Sequence, residues 1–166
     1  MVNELIEYFG NRPTLLVGHS RGGTVAAFAS SNPHVTSIIA VMATYGIPTP
    51  PSPEAIKLGY QVSYRDLPPG SSKTVEQKEF KLPISYFEDG KQYDKLSAWE
   101  ACTKPKLIIY GTQDAFTEPS KVKDVYQSMP VPKMIHEVDS EHDYRLHPEV
   151  IEEVNQTIGN FLGQYK

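Results

Sequence analysis

Short apolar runs recur along this chain, and most are followed by a segment of helical character. Thr14 to Val17 (TLLV), Val35 to Ala43 (VTSIIAVMA), Lys106 to Tyr110 (KLIIY) and Lys133 to Val138 (KMIHEV) hold apolar, often β-branched residues. That is the pattern of strands in a sheet covered on both faces. Between and around them lie helix candidates. Residues 3 to 9 (NELIEYF) read as the end of a helix closed by Gly10-Asn11. Arg21 to Ser30 is small and apolar, as in a buried helix, and Ser120 to Met129 (SKVKDVYQSM) is a second. Pro148 to Leu162 (PEVIEEVNQTIGNFL) is an amphipathic terminal helix with Pro in its first turn. Strands alternating with helices predict an α/β fold with a mostly parallel sheet and flanking helices.

One stretch breaks the alternation. From Ile47 to about Pro105 the chain passes through PTPPSPE and DLPPGSS, and only short periodic pieces lie between such Pro-rich turns. This stretch reads as an excursion from the sheet, a short cap holding helices near 53–60 and 94–103. The expected organisation is a single domain over 1–166. Residues 1–46 carry the first strand, helix and next strand, 47–104 the excursion, and 105–166 the remaining alternation.

Composition narrows the partners. The chain has 166 residues, a formal net charge of -4 and no basic block, which argues against nucleic acid and anionic membranes as partners. No apolar run approaches the ~20 residues of a membrane span. A single cysteine, Cys102, excludes an intrachain disulfide framework and points to a reducing, cytoplasmic setting. Its simplest reading is a small buried residue.

The chemistry begins at Leu16-Val17-Gly18-His19-Ser20-Arg21-Gly22-Gly23. A serine flanked by glycines two before and two after, where a strand ends and a helix begins, is the arrangement of a nucleophile elbow. In such a sharp turn, side chains at Gly18 and Gly22 are expected to collide with neighbouring backbone. The serine hydroxyl then stands at the carboxyl end of the sheet, and the following helix aims its N-terminus there. The Arg21 backbone N–H would be one oxyanion donor. A serine hydroxyl needs a base, and the base an orienting acid. KLIIY runs into Gly111-Thr112-Gln113-Asp114, and KMIHEV into Asp139-Ser140-Glu141-His142. Both loops belong to the same sheet edge, with room between them for one helix and one strand.

GHSRGG, PKLIIYGTQDAFTEPSKV and EVDSEHDYRLHPEVIEEVNQTIGNFL resemble, in that order, the elbow, the acid strand and loop, and the histidine loop with last helix of the α/β-hydrolases. FEDGKQYDKLSAWEACTKPKLIIYG is similar to the approach to the acid strand in small carboxylesterases and monoacylglycerol lipases of the serine aminopeptidase-like branch. The resemblance implies Ser20 as nucleophile, Asp114 as acid and His142 as base. It further implies a small-molecule ester substrate, with a thioester or a peptide as alternatives for the same triad, and no metal and no organic cofactor.

Competing roles remain at this point. His19 reads as a supporting or packing residue, His136 as packed within its strand, and His147 as a residue at a helix start. Asp114 has an alternative role as a helix cap, which Thr117 or Ser120 could fill instead. Asp139, Glu141 and Asp143 read as solvated loop charges. Tyr45, Tyr86 and Phe87 are candidates either for core packing or for an acyl pocket. The chain resembles the carboxyl-terminal half of the family fold and lacks its amino-terminal strands, which carry the second oxyanion donor. The TLLV strand would then lie at an exposed edge, a surface suited to homodimer pairing. A fragment of a longer hydrolase, a paired short form and a non-catalytic binding module are the three readings of that shortfall.

Overall fold

The computed structural model describes residues 1–46, 50–66 and 77–165. Parts of the two Pro-rich loops, at 47–49 and 67–76, lie outside the described residues. Helix α1 (Val2–Tyr8) leads into strand β1 (Thr14–His19), helix α2 (Arg21–Ala29) and strand β2 (Val35–Val41). After the excursion come strand β5 (Lys106–Gly111), helix α6 (Pro119–Ser128), strand β6 (Lys133–Val138), a single 3-10 turn (Tyr144–Leu146) and helix α7 (Pro148–Gln164). The four strands form a parallel sheet in the order β1-β2-β5-β6.

The alternation of side chains along each strand builds a core on both faces of this sheet. On one face Ile38 and Ala40 of β2 and Ile108 and Tyr110 of β5 pack with Ile6, Ala26, Ala27, Val122 and Trp99. On the other, Ile39, Val41, Leu107 and Ile109 pack with Val150, Val154 and Phe161 of α7. All six residues of β5 are buried, which is why KLIIY reads as a continuous apolar run. Its first residue, Lys106, is fully buried as well. The ammonium is satisfied by the Pro130 carbonyl at 2.7 Å and the Pro132 carbonyl at 3.3 Å, and burial lowers its pKa.

The excursion holds more structure than its sequence suggests. Helices α3 (Pro53–Leu58) and α5 (Lys95–Glu100) fall near the two expected places. Between them stand an antiparallel ribbon, β3 (Tyr60–Asp66) with β4 (Gln77–Pro83), and helix α4 (Ile84–Gly90). The ribbon forms a separate two-stranded sheet. Ser52 and Asp94 cap α3 and α5 through bonds to the Ala55 and Ser97 amides. Trp99 of α5 is fully buried and anchors the excursion to the core beside Tyr45, with ring centroids 5.4 Å apart.

Candidate active site

Ser20 follows the last residue of β1 and precedes the first of α2, at φ 55 and ψ -123. A positive φ at a residue with a Cβ is strained, and here the strain accompanies the reversal from strand to helix. The Ser20 amide is held by the Val41 carbonyl at 2.8 Å, so the turn is tied to the end of β2.

The glycine requirement is distributed differently from the sequence expectation. A Cβ on Gly18 would lie 2.2 Å from the Gly22 carbonyl carbon and 2.3 Å from its oxygen. Gly18 must therefore be glycine, because the first turn of α2 lies directly against it. A Cβ on Gly22 meets nothing within 4 Å. The expected collision there does not occur, because Gly22 contributes its backbone to the contact and leaves its own Cβ direction open. The second steric demand falls on Gly23, where a Cβ would lie 2.6 Å from the Ala43 Cβ.

His142 lies on the loop after β6, and its Nε2 is 2.8 Å from the Ser20 Oγ. Its Nδ1 is 2.8 Å from Asp114 Oδ2. The carboxylate can only accept, so Nδ1 carries the proton and Nε2 presents its lone pair to the serine hydroxyl. Asp114 sits on the loop after β5 and is 3% exposed. Its other oxygen accepts from the amides of Phe116 at 2.8 Å and Thr117 at 3.1 Å. The carboxylate is thus fixed in a turn of its own loop. It does not cap α6, whose N-cap position is Glu118.

The two loops meet closely: a Cβ on Gly111 would lie 2.2 Å from the Ser140 carbonyl oxygen. Gln113 donates its amide N–H to that same oxygen at 3.0 Å. Asp139 accepts from Thr112 at 2.7 Å and Gln113 at 2.9 Å, bonds that lower its pKa. A loop carboxylate read as merely solvated therefore fastens the acid loop to the histidine loop.

His19 does not contact the serine. Its Nε2 donates to the His142 carbonyl at 3.0 Å, and its ring lies 5.0 Å from that of His142 and 5.6 Å from that of Tyr144. The carbonyl can only accept, so Nε2 carries the proton, and burial is the main cause that lowers the pKa of this ring. His142 is thereby held by its backbone as well as its ring, with Phe116 on the ring at 4.9 Å. His136 departs from expectation. It lies on β6 at the end of the sheet order, is half-buried, and pairs with Glu153 of α7 at 2.7 Å. His147 sits at the N-cap position of α7. Asp143 is held by Arg145 at 2.8 Å, and Cys102 is buried.

Tyr45 is buried in the core, and burial raises the pKa of its hydroxyl. Tyr86 and Phe87 make an edge-to-face pair on α4. The Arg21 guanidinium lies over the Tyr86 ring, 4.5 Å from its centroid. This contact was not legible from spacing, since the two residues belong to different parts of the chain. A groove of about 400 Å³ between α2 and α5, lined by Phe28, Ser31, Asp94 and Ser97 among others, contains none of Ser20, Asp114 or His142. Among the described residues no cluster of three or more His, Cys, Asp or Glu could hold a metal ion. No helix among them is long and apolar enough to cross a membrane.

No protein-family model matches the chain, and no curated protein matches its sequence. Solved structures do match. The monoacylglycerol lipase of Paleococcus ferrophilus superimposes with a TM-score of 0.71 at 18% identity, over 99% of this chain and 73% of that one. The α/β hydrolase GrgF from Penicillium sp. sh18 gives 0.72 at 15% identity, over 99% and 70%. The esterase domain of a Rhodothermus marinus protein gives 0.65 at 16% identity, over 98% and 65%. The chain therefore spans about two thirds of the length of these structures. Parallel sheet, flanking helices and matched course together establish that the chain has the α/β-hydrolase fold.

Proposed function

We propose that the chain is a serine hydrolase that cleaves carboxylic esters of small or medium acyl chains. The observation that carries this reading is the unbroken line from Ser20 Oγ through His142 to the buried Asp114, both links 2.8 Å. In the proposed cycle His142 Nε2 takes the Ser20 proton as Oγ attacks the ester carbonyl. The Arg21 backbone N–H, at the free N-terminus of α2, donates to the oxyanion. Asp114 keeps the imidazole oriented and offsets its positive charge. His142 then protonates the departing alkoxide, leaving Ser20 acylated. Water, deprotonated by His142, releases the acid and restores the serine. The esterase and lipase names among the structural neighbours fit this reading, and the single cysteine fits a cytoplasmic setting.

The test is reaction with a neutral fluorophosphonate, followed by intact mass. One adduct is expected on the wild-type chain and none on Ser20→Ala. A folded wild-type chain that takes no adduct would sink the proposal.

A second reading rests on β1. Among the described residues this strand pairs on one side only, with β2, and Val17 on it is 58% exposed. We propose that this edge pairs with a second copy, either to complete a working hydrolase or to serve a binding role without catalysis. Light scattering at micromolar concentration should report a dimer, and a strict monomer would remove this reading.

A further inference from the structure

An exposed apolar side chain is ordinary on a protein surface and carries no message by itself. Phe116 is 59% exposed, but its surroundings set it apart from other exposed residues such as Phe9 and Val131. Its ring lies against the imidazole of His142, with centroids 4.9 Å apart and planes inclined by 57°. Such a spacing falls within the roughly 4.5–7 Å of favourable aromatic pairs. The Phe116 amide donates to Asp114 Oδ1 at 2.8 Å, so the backbone that carries the ring is tied to the carboxylate that orients the histidine. Asp139, bonded to Thr112 and Gln113 on the same loop, fastens that loop to the histidine loop. The ring is therefore mounted on the rigid part of the site.

A second ring also lies against His142, that of His19 at 5.0 Å. His19 is half-buried and bonded to the His142 carbonyl, and His142 itself is buried. Of these three rings, only that of Phe116 belongs to an exposed residue. It offers the aromatic surface beside the base that a ligand can cover.

The chemistry of the proposed cycle says which part of a substrate passes there. After taking the Ser20 proton, His142 Nε2–H must deliver it to the alkoxide oxygen as the bond from that oxygen to the carbonyl carbon breaks. The bonding pair and the proton leave with the alcohol, the acyl carbon stays on Ser20 Oγ, and the imidazole returns to neutral. The departing oxygen must then lie ~3 Å from Nε2, and the rest of the alcohol begins one bond further on. The carbonyl oxygen, by contrast, points to the start of α2. We propose that Phe116 is a specificity-determining residue for the alcohol half of the substrate, its exposed ring seating the aryl group of an aromatic alcohol such as that of a benzyl ester. This rests on the serine-hydrolase reading of the same site and names its leaving group. A platform fixed in advance loses little freedom when the aryl group settles on it.

The test compares benzyl butyrate with methyl butyrate, two esters of one acyl group with alcohols of similar acidity, with turnover followed by pH-stat. Covering the Phe116 ring with an aryl group should raise kcat/KM for the benzyl ester about ten-fold. Phe116→Ala should cut the benzyl-to-methyl ratio several-fold, and Phe116→Tyr, which keeps the ring, should retain it. A residue that only shields or braces His142 would slow both esters by one factor, so an unchanged ratio in Phe116→Ala would overturn the proposal. Equal or lower kcat/KM for benzyl butyrate in the wild type would overturn it too. Neutral fluorophosphonate labelling separates the two claims. Labelling without benzyl preference removes the aryl seat and leaves the serine reading standing. If labelling is absent, the seat is read by proton NMR instead. Benzyl alcohol should shift the His142 ring resonances in the wild type and leave them unmoved in Phe116→Ala. No shift, or the same shift in both proteins, would reject the assignment.

Discussion

The parallel sheet and the β3–β4 ribbon are both β-structure, but they are held by different forces. Every residue of β5 is buried, and the two faces of the sheet divide its side chains between two cores. Among the described residues, no side chain of the ribbon belongs to either core. Its surface carries Val62, Tyr64 and Phe80 in the open, with Lys78 over the Phe80 ring and Lys81 over the Tyr60 ring, each at 5.2 Å. Exposed contacts of that sort contribute about 0.5–1 kcal/mol apiece, whereas full burial of a large apolar side chain contributes ~1.5–3 kcal/mol. All three residues of the Ser20 line sit at ends of the buried sheet, and none sits in the excursion. Geometry that must hold to fractions of an ångström is thus set by the rigid part. The excursion reaches the site through surface contacts such as Tyr86 with Arg21.

Substitutions can break that contrast, starting with the largest effects. Ser20→Ala should lower turnover by ~10⁶-fold while leaving the far-ultraviolet circular dichroism unchanged. Asp114→Asn should lower kcat by ~10⁴-fold, because an amide can stabilise the wrong imidazole tautomer. A fall of less than ten-fold would mean that His142 does not depend on this carboxylate. Next in size is the core itself. Ile108→Ala should cost about 2–5 kcal/mol in denaturant unfolding, against no more than ~0.5 kcal/mol for Val62→Ser on the ribbon. Comparable losses at the two positions would show that the ribbon is as integral as the sheet.

The smallest effect concerns acid sensitivity. The pKa of His19 is lowered on folding, so between its folded value and its ordinary value near 6.5 the unfolded chain binds more protons. His19 therefore opposes folding increasingly as pH falls below ~6.5, and above that value it has no such effect. His19→Gln keeps an N–H donor for the His142 carbonyl but cannot titrate. Its Tm should fall less than that of the wild type between pH 7 and pH 5. Parallel Tm profiles would assign the acid sensitivity to other groups.

How much of this was readable in the sequence follows from the same contrast. TLLV, VTSIIAVMA and KLIIY announce themselves because burial on both faces demands unbroken apolar runs. The second of these ends earlier than its apolar character suggests, since Met42 adopts φ 50 and turns the chain out of β2. YQVSYRD and QKEFKLP carry no apolar run and residues 67–76 separate them, so the ribbon has no local signature in the sequence. His136 departs from its expected packing because β6 lies last in the sheet order, where a strand residue can reach out to Glu153. The positions of Ser20, Asp114 and His142 were legible as loop residues following strands, and the structure brings the three side chains together. The role of Gly23 was not legible. Its constraint comes from Ala43, on the segment after β2, and no local pattern encodes so distant a neighbour.

The parallel pairing of β2 with β5 carries one more consequence. A chain leaving the end of β2 must cross back over a sheet ~20 Å deep before β5 can start, a connection that needs roughly a dozen residues and usually a helix. α5 and its flanks meet that need. The threading of the molecule therefore makes no demand on α3, the ribbon or α4. A shorter link in their place would still leave the chain a path from the end of β2 to the start of β5, as long as α5 and its flanks remain.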